Sequence, residues 1–114
     1  MKVIHHEKMD IYKKSVLFLS HSESIIQKLP KGRREFKDQL QRASLSIVLN
    51  FAEGYGKYSS RDKQRFYLIS KGSAHECAAI LDCMNILKLI DEKDHLVGKK
   101  LLYEIICILV KLCQ

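Results

Sequence analysis

The chain has 114 residues, 46% of them hydrophobic, with one proline, five glycines and no tryptophan. That is enough chain for a single core and too few turn signals for a protein of many short strands. A formal charge of +7 and a pI near 9.3 exclude an acidic, polyanion-repelling surface and point toward nucleic acid, anionic membrane or an acidic protein as partner.

The first ten residues, MKVIHHEKMD, carry charge and no apolar h-region. No apolar run approaches the roughly 18 residues of a membrane span, so a cytoplasmic chain without a membrane role is expected. Over residues 8–29, Met9, Tyr12, Val16, Leu19, Ile26 and Leu29 recur at spacings of three, four or seven, which predicts a first amphipathic helix. Pro30 ends it, and Lys31-Gly32 makes a polar corner.

A second helix is predicted from near Arg33 to about Glu53, with Phe36, Leu40, Ala43, Ile47 and Phe51 on one stripe and Leu45, Val48, Leu49 and Ala52 on another. The Gly54-Tyr55-Gly56 segment reads as its breaker, a C-cap needing positive φ. A third helix starts at the capping candidates Ser59 and Ser60, with Asp62 in its first turn. Phe66, Ile69, Ser73, Cys77, Ile80, Met84 and Leu87 carry its rhythm to Ile90, a rod of about 45 Å.

Asp91 is the expected N-cap of a fourth helix, with Asp94 as capping-box partner. Leu101, Ile105, Ile108 and Leu112 form one stripe on it, and Leu102, Ile106, Leu109 and Cys113 a second. Four helices joined by short loops predict an all-α, antiparallel up-down-up-down four-helix bundle forming one domain over residues 1–114. Extra apolar faces on helices two and four call for a further partner, and a second copy of the chain supplies one.

The charge is unevenly placed. Residues 28–71 hold eleven Lys or Arg against four acids, whereas the rest of the chain balances nine against nine. Lys31, Arg33, Arg34, Lys37 and Arg42 open helix two; Lys57, Arg61, Lys63, Arg65 and Lys71 follow the second glycine and open helix three. These ten residues are the candidate nucleic-acid-binding set, suited to phosphates without base reading, although a charge run is also what a solvated face looks like. Tyr55, Tyr58 and Tyr67 could stack on unpaired bases or serve as packing residues.

Asn50 and Glu53 lie in an apolar helix end, where an unpaired carboxylate would cost several kcal/mol, so partners among Arg42, Ser46, Ser73 and Glu76 are expected. Glu53 and Glu76 could hold a metal only with a Glu-x-x-His element on facing helices, and none is present. The five histidines and four cysteines form no CxxC or HExxH set, so no metal or cofactor is expected. Disulfides are not expected in a cytosolic chain. No nucleophile, base and orienter emerge together, and Arg65 and His75 are too far apart for a helical RNase pair, so no enzyme activity is expected.

From Gln39 the chain reads QLQRASLSIVLNFAEGYGKYSSRDKQRFYLISKGSAHE, with Asn50, Glu53, Gly54 and Gly56 closing one helix and Gly72, Ser73 and Glu76 inside the next. This resembles the bacterial four-helix bundle family encoded in intervening sequences of 23S rRNA genes, and the resemblance covers nearly the whole chain. It implies a ring-like homo-oligomer, a pentamer, without catalytic activity and with a role in binding RNA or DNA. A related group implies a different role, that of a scaffold or accessory protein binding a partner such as the reverse transcriptase of diversity-generating retroelements.

Overall fold

The computed structural model describes residues 2–114, and among them there are four α-helices and no strand. A short 3-10 turn (His5–Lys8) precedes α1 (Asp10–Gln27), α2 (Arg34–Tyr55), α3 (Ser60–Ile86) and α4 (Glu92–Leu112). The helices close a cycle in which α2 packs on α1 and α3, and α4 on α3 and α1.

Local chemistry sets most boundaries. Ser59 Oγ accepts from the Asp62 N–H at 3.1 Å and Asp91 Oδ1 accepts from the Asp94 N–H at 2.8 Å, each satisfying a donor left over at a helix start. The Asp94 carboxylate does not return the bond as a capping box would; it reaches Lys28 of the α1–α2 corner at 3.0 Å. Between α1 and α2 the chain turns at Gly32, whose φ of 92° is open to glycine at little cost.

Helix α3 stops at Ile86, earlier than the Ile90 expected. Lys88 takes φ 57°, and the Leu89 N–H reaches back to the Met84 carbonyl at 2.8 Å, a Schellman closure that hydropathy does not announce because its usual signal is glycine. The glycines after α2 also differ from expectation. Neither Gly54 nor Gly56 has positive φ; Gly54 lies within α2, and Gly56 caps it at φ −78°, ψ −9°. A Cβ on Gly54 would stand 2.9 Å from the Tyr67 ring and 3.0 Å from Phe66 Cβ, so this glycine exists for close helix approach.

The core runs along the axis through Phe18, Ile25, Leu40, Ile47, Phe51, Cys77, Leu81, Met84, Leu102, Ile105 and Leu109. On α1 the buried line is Ile11, Ser15, Phe18, Ser22, Ile25 and Ile26, and Val16 is exposed. The expected stripe was displaced because two serines occupy core positions. Each is satisfied by its own helix, Ser15 Oγ donating to the Ile11 carbonyl at 2.7 Å and Ser22 Oγ to Leu19 at 2.9 Å, so a small hydroxyl can be buried at low cost.

The same happens on α3, where Tyr67, Ser70, Ala74, Cys77, Leu81 and Met84 face inward while Ile69 and Leu87 stand exposed. Ser70 Oγ donates across to the Ile47 carbonyl of α2 at 2.8 Å. On α4 the two expected stripes merge into one broad inward face around Leu102, Ile105 and Leu109. The apolar side chains left in solvent on that helix are Leu96, Val97, Tyr103 and Val110; on α2 they are Leu45 and Leu49.

Polar contacts index the helices against each other. On α2 and α3 the pairs are Arg42 with Glu76, Ser46 with Ser73 and Ile47 with Ser70. On α3 and α4 they are Asp82 with His95 and Lys99, and Gln64 with the Cys113 carbonyl at the far end. On α1 and α4, Lys14 meets Glu104, and His21 Nε2 lies 2.9 Å from the Asp94 carbonyl oxygen. In every set the residue numbers rise on one helix as they fall on the other.

Candidate nucleic-acid interface

Eight of the ten candidate cations divide between the two ends of α2, which at 22 residues is about 33 Å long; Arg42 and Lys71 lie along the helices between them. At the α1–α2 corner, Lys31, Arg33, Arg34 and Lys37 line an open groove of about 750 Å³ together with Glu23, Asp38 and the apolar Ile26 and Leu29. Arg33 lies 3.9 Å from Glu35 and Arg34 3.6 Å from Asp38. These are long, exposed pairs that hold little energy, and Lys31 and Lys37 have no carboxylate partner among the described residues.

Arg42 does not belong with them. It sits two turns further along α2, paired with Glu76 of α3 and donating to Gln39 Oε1 at 3.0 Å. The pair is solvent-exposed and joins α2 to α3 across the surface.

At the α2–α3 corner the four cations have different fates. Lys57 pairs with Glu53 at 3.0 Å and its ammonium stands 5.2 Å from the centre of the Phe66 ring. Lys63 donates to the Tyr55 carbonyl at 2.8 Å, satisfying an α2 terminal acceptor, and lies 5.3 Å from the Tyr55 ring centre. Arg65 stacks over Phe66 at 4.8 Å. Arg61 and Arg65 make no ion pair among the described residues, and Lys71 is half-buried along α3 without one. Of the tyrosines, Tyr67 is buried, stacked on Phe51 with ring centres 5.7 Å apart, and Tyr55 is half-buried beside Phe51. Tyr58 is fully exposed.

The motif residues form a structural joint. Asn50 Nδ2 donates to the Ser46 carbonyl at 3.0 Å and to Ser46 Oγ at 2.9 Å, and Ser46 Oγ lies 2.7 Å from Ser73 Oγ of α3. Glu76 meets Arg42, as above. Glu53 corrects the expectation of a buried carboxylate: it is exposed and its partner is Lys57, four residues on. Below this joint Cys77 is wholly buried, and burial, with Glu76 nearby, pushes its thiol up to about 12. All four cysteines are free thiols. Among the described residues no three His, Cys, Asp or Glu side chains are grouped to share a metal ion, and no helix is long and apolar enough to cross a membrane.

The family described as 23S rRNA-intervening sequence protein matches residues 7–111. This chain belongs to that family. Its structure is similar to the crystal structure of a protein with unknown function from the S23 ribosomal protein family of Bacteroides thetaiotaomicron VPI-5482, with a TM-score of 0.84 and 20% identity, covering 91% of this chain and 98% of that one. At that identity the likeness is one of fold. Among curated proteins none matches.

Two features of this family member escaped the sequence reading. The first is His5, which stacks on Tyr55 with ring centres 5.6 Å apart and hydrogen-bonds its hydroxyl from 50 residues away; no local signal announces so distant a contact. The second is Gly98 in the middle of α4, where a Cβ would fall 2.6 Å from Leu81 Cδ1. A lone glycine inside a helical pattern is the available signal for such a crossing.

Proposed function

We propose that this member of the 23S rRNA-intervening sequence family is a cytoplasmic, non-catalytic, homo-oligomeric protein that grips RNA or DNA through backbone charge. Its fold in this reading is an antiparallel up-down-up-down four-helix bundle, supported by interhelix pairs whose numbers run in opposite directions on adjacent helices. Oligomerisation is supported by the apolar side chains left in water on α2 and α4, Leu45, Leu49, Leu96, Tyr103 and Val110, which a second copy of the chain would cover. A closed ring repeats each basic corner around its axis, and in this reading that ring is the pentamer that the family resemblance implies.

The observation that carries the nucleic-acid reading is the segregation of the whole charge excess into residues 28–71, together with cations there that no carboxylate among the described residues pairs with: Lys31, Lys37, Arg61, Arg65 and Lys71. Such charges attract phosphate by counterion release and select no base sequence. The test is fluorescence anisotropy with RNA and duplex DNA across a salt series, wild type beside an Arg33→Ala, Arg34→Ala, Lys37→Ala variant. Binding should weaken steeply with salt, and the variant's slope should fall by about one for each phosphate contact removed. No binding at low salt would refute the reading and direct the search to a scaffold role on an acidic protein partner, such as a reverse transcriptase.

A further inference from the structure

Resting on that reading, we propose that the two basic corners are unlike, and that the α2–α3 corner is a single-strand site: an unpaired base stacks on Tyr58 while Arg61 and Arg65 hold the adjoining phosphates.

Tyr58 is the residue just before the Ser59 N-cap of α3. An apolar side chain there ordinarily folds back onto an apolar residue at the fourth helical position. In this chain that position is Lys63, whose ammonium is held by the Tyr55 carbonyl. The staple therefore has one half only. Tyr58 keeps a relative exposure of 102%, so its large apolar ring contributes nothing to the fold it stands on.

The segment that carries the ring is rich in cations. Between residues 55 and 66 there are four, against a single acid, Asp62. Lys57 and Lys63 are occupied by Glu53 and the Tyr55 carbonyl, which leaves Arg61 and Arg65 for an external anion. They are one helical turn apart, about 6 Å along the axis, the order of separation between neighbouring phosphates of one strand. The Phe66 ring under Arg65 pre-orients its guanidinium and does not neutralise it. Tyr103, the other strongly exposed tyrosine, sits seven residues from both Leu96 and Val110 on α4, an apolar setting of another kind.

The combination of a ring and two cations selects the form of the nucleic acid. A base already paired and stacked in a duplex has no face to offer, whereas an unpaired base has one, and stacking tolerates any sequence. The α1–α2 corner has comparable charge but its one aromatic, Phe36, is packed against the core. That corner senses phosphate alone and is indifferent to strandedness.

The chain has no tryptophan, so Tyr58→Trp places a single reporter at the site. The probes are an unstructured oligouridine and an RNA duplex of equal length, read by anisotropy and by Trp emission, with Tyr58→Ala as the second variant. The expected result is that oligouridine quenches the Trp and the duplex does not. Tyr58→Ala should lose roughly ten-fold in oligouridine affinity and little for the duplex, with unchanged circular dichroism and sedimentation. Binding by anisotropy without quenching, or equal losses for both probes, would overturn the single-strand site and leave the charge-gripping function standing. A Tyr58→Ala variant that changes sedimentation with unchanged affinity would assign Tyr58 to contact between copies and also overturn it. Absence of binding by either probe would overturn both proposals together.

Discussion

Replacing Gly54 by alanine separates two explanations of the glycine pair that ends α2. The methyl group would have to fit where Tyr67 Cδ1 and Cε1 stand 2.9 Å away and Phe66 Cβ 3.0 Å away. Phe66 Cβ is fixed to the α3 backbone, and the Tyr67 ring is stacked on Phe51, so neither yields without moving a helix. Overpacking of this kind costs about 1–3 kcal/mol, and alanine returns about 0.5–1 kcal/mol of helix propensity. The net expectation is a loss of about 1–2 kcal/mol. Gly56→Ala is the control: its Cβ would meet only the Ala52 and Glu53 carbonyl oxygens at 3.6 Å, and its φ is negative, so stability should change by no more than about 0.5 kcal/mol. Urea denaturation followed by far-ultraviolet circular dichroism, at one protein concentration because association shifts the midpoint, measures both. Equal losses from the two substitutions would mean that both glycines serve the backbone, and no loss at Gly54 would mean that α2 and α3 do not meet there closely.

Asp82 receives Lys99 Nζ at 2.6 Å and lies 2.9 Å from His95 Nε2, and the Lys99 hydrogen bond, followed by that of His95, holds its carboxyl below the usual range. Because the folded pKa is the lower one, the stabilisation is present above the unfolded value near 3.9 and is lost as pH falls through the folded pKa. Asp82→Asn should therefore cost up to about 1 kcal/mol at neutral pH, the carboxylate being half exposed and screened, and the difference from wild type should shrink below about pH 4. A cost that persists unchanged into acid would assign the loss to packing. Cys77, buried with its thiol raised to about 12, should resist alkylation in the folded protein while exposed Cys83 reacts; mass spectrometry of labelled peptides with and without urea reads this. Labelling of Cys77 at the rate of Cys83 would show that α3 opens without global unfolding.

Helix number, order and most boundaries were legible in the chain, because the signals are local. Ser59 and Asp91 cap the helices they were expected to cap, and Pro30 with Gly32 turns the chain between α1 and α2. A cap needs only a hydroxyl or carboxylate within three residues of an unpaired N–H. The positions of the candidate cations were equally legible. Their availability was not, since Arg42 is taken by Glu76, thirty-four residues away, and Lys63 by the Tyr55 carbonyl.

Tertiary packing decided which face of each helix is inside. Hydropathy counts Ser15, Ser22 and Ser70 as polar and slides the apolar stripe of α1 and α3 onto a neighbouring row. The helices bury these serines because their hydroxyls find carbonyls at Ile11, Leu19 and Ile47. Gly54 likewise reads as a helix breaker, and only the approach of Tyr67 reveals it as a place where a side chain has no room, as the approach of Leu81 does for Gly98. Hydrogen-bond satisfaction and steric contact between distant segments are properties of the assembled helices; caps, breakers and charge placement belong to the linear chain, which is why the one set could be read in advance and the other could not.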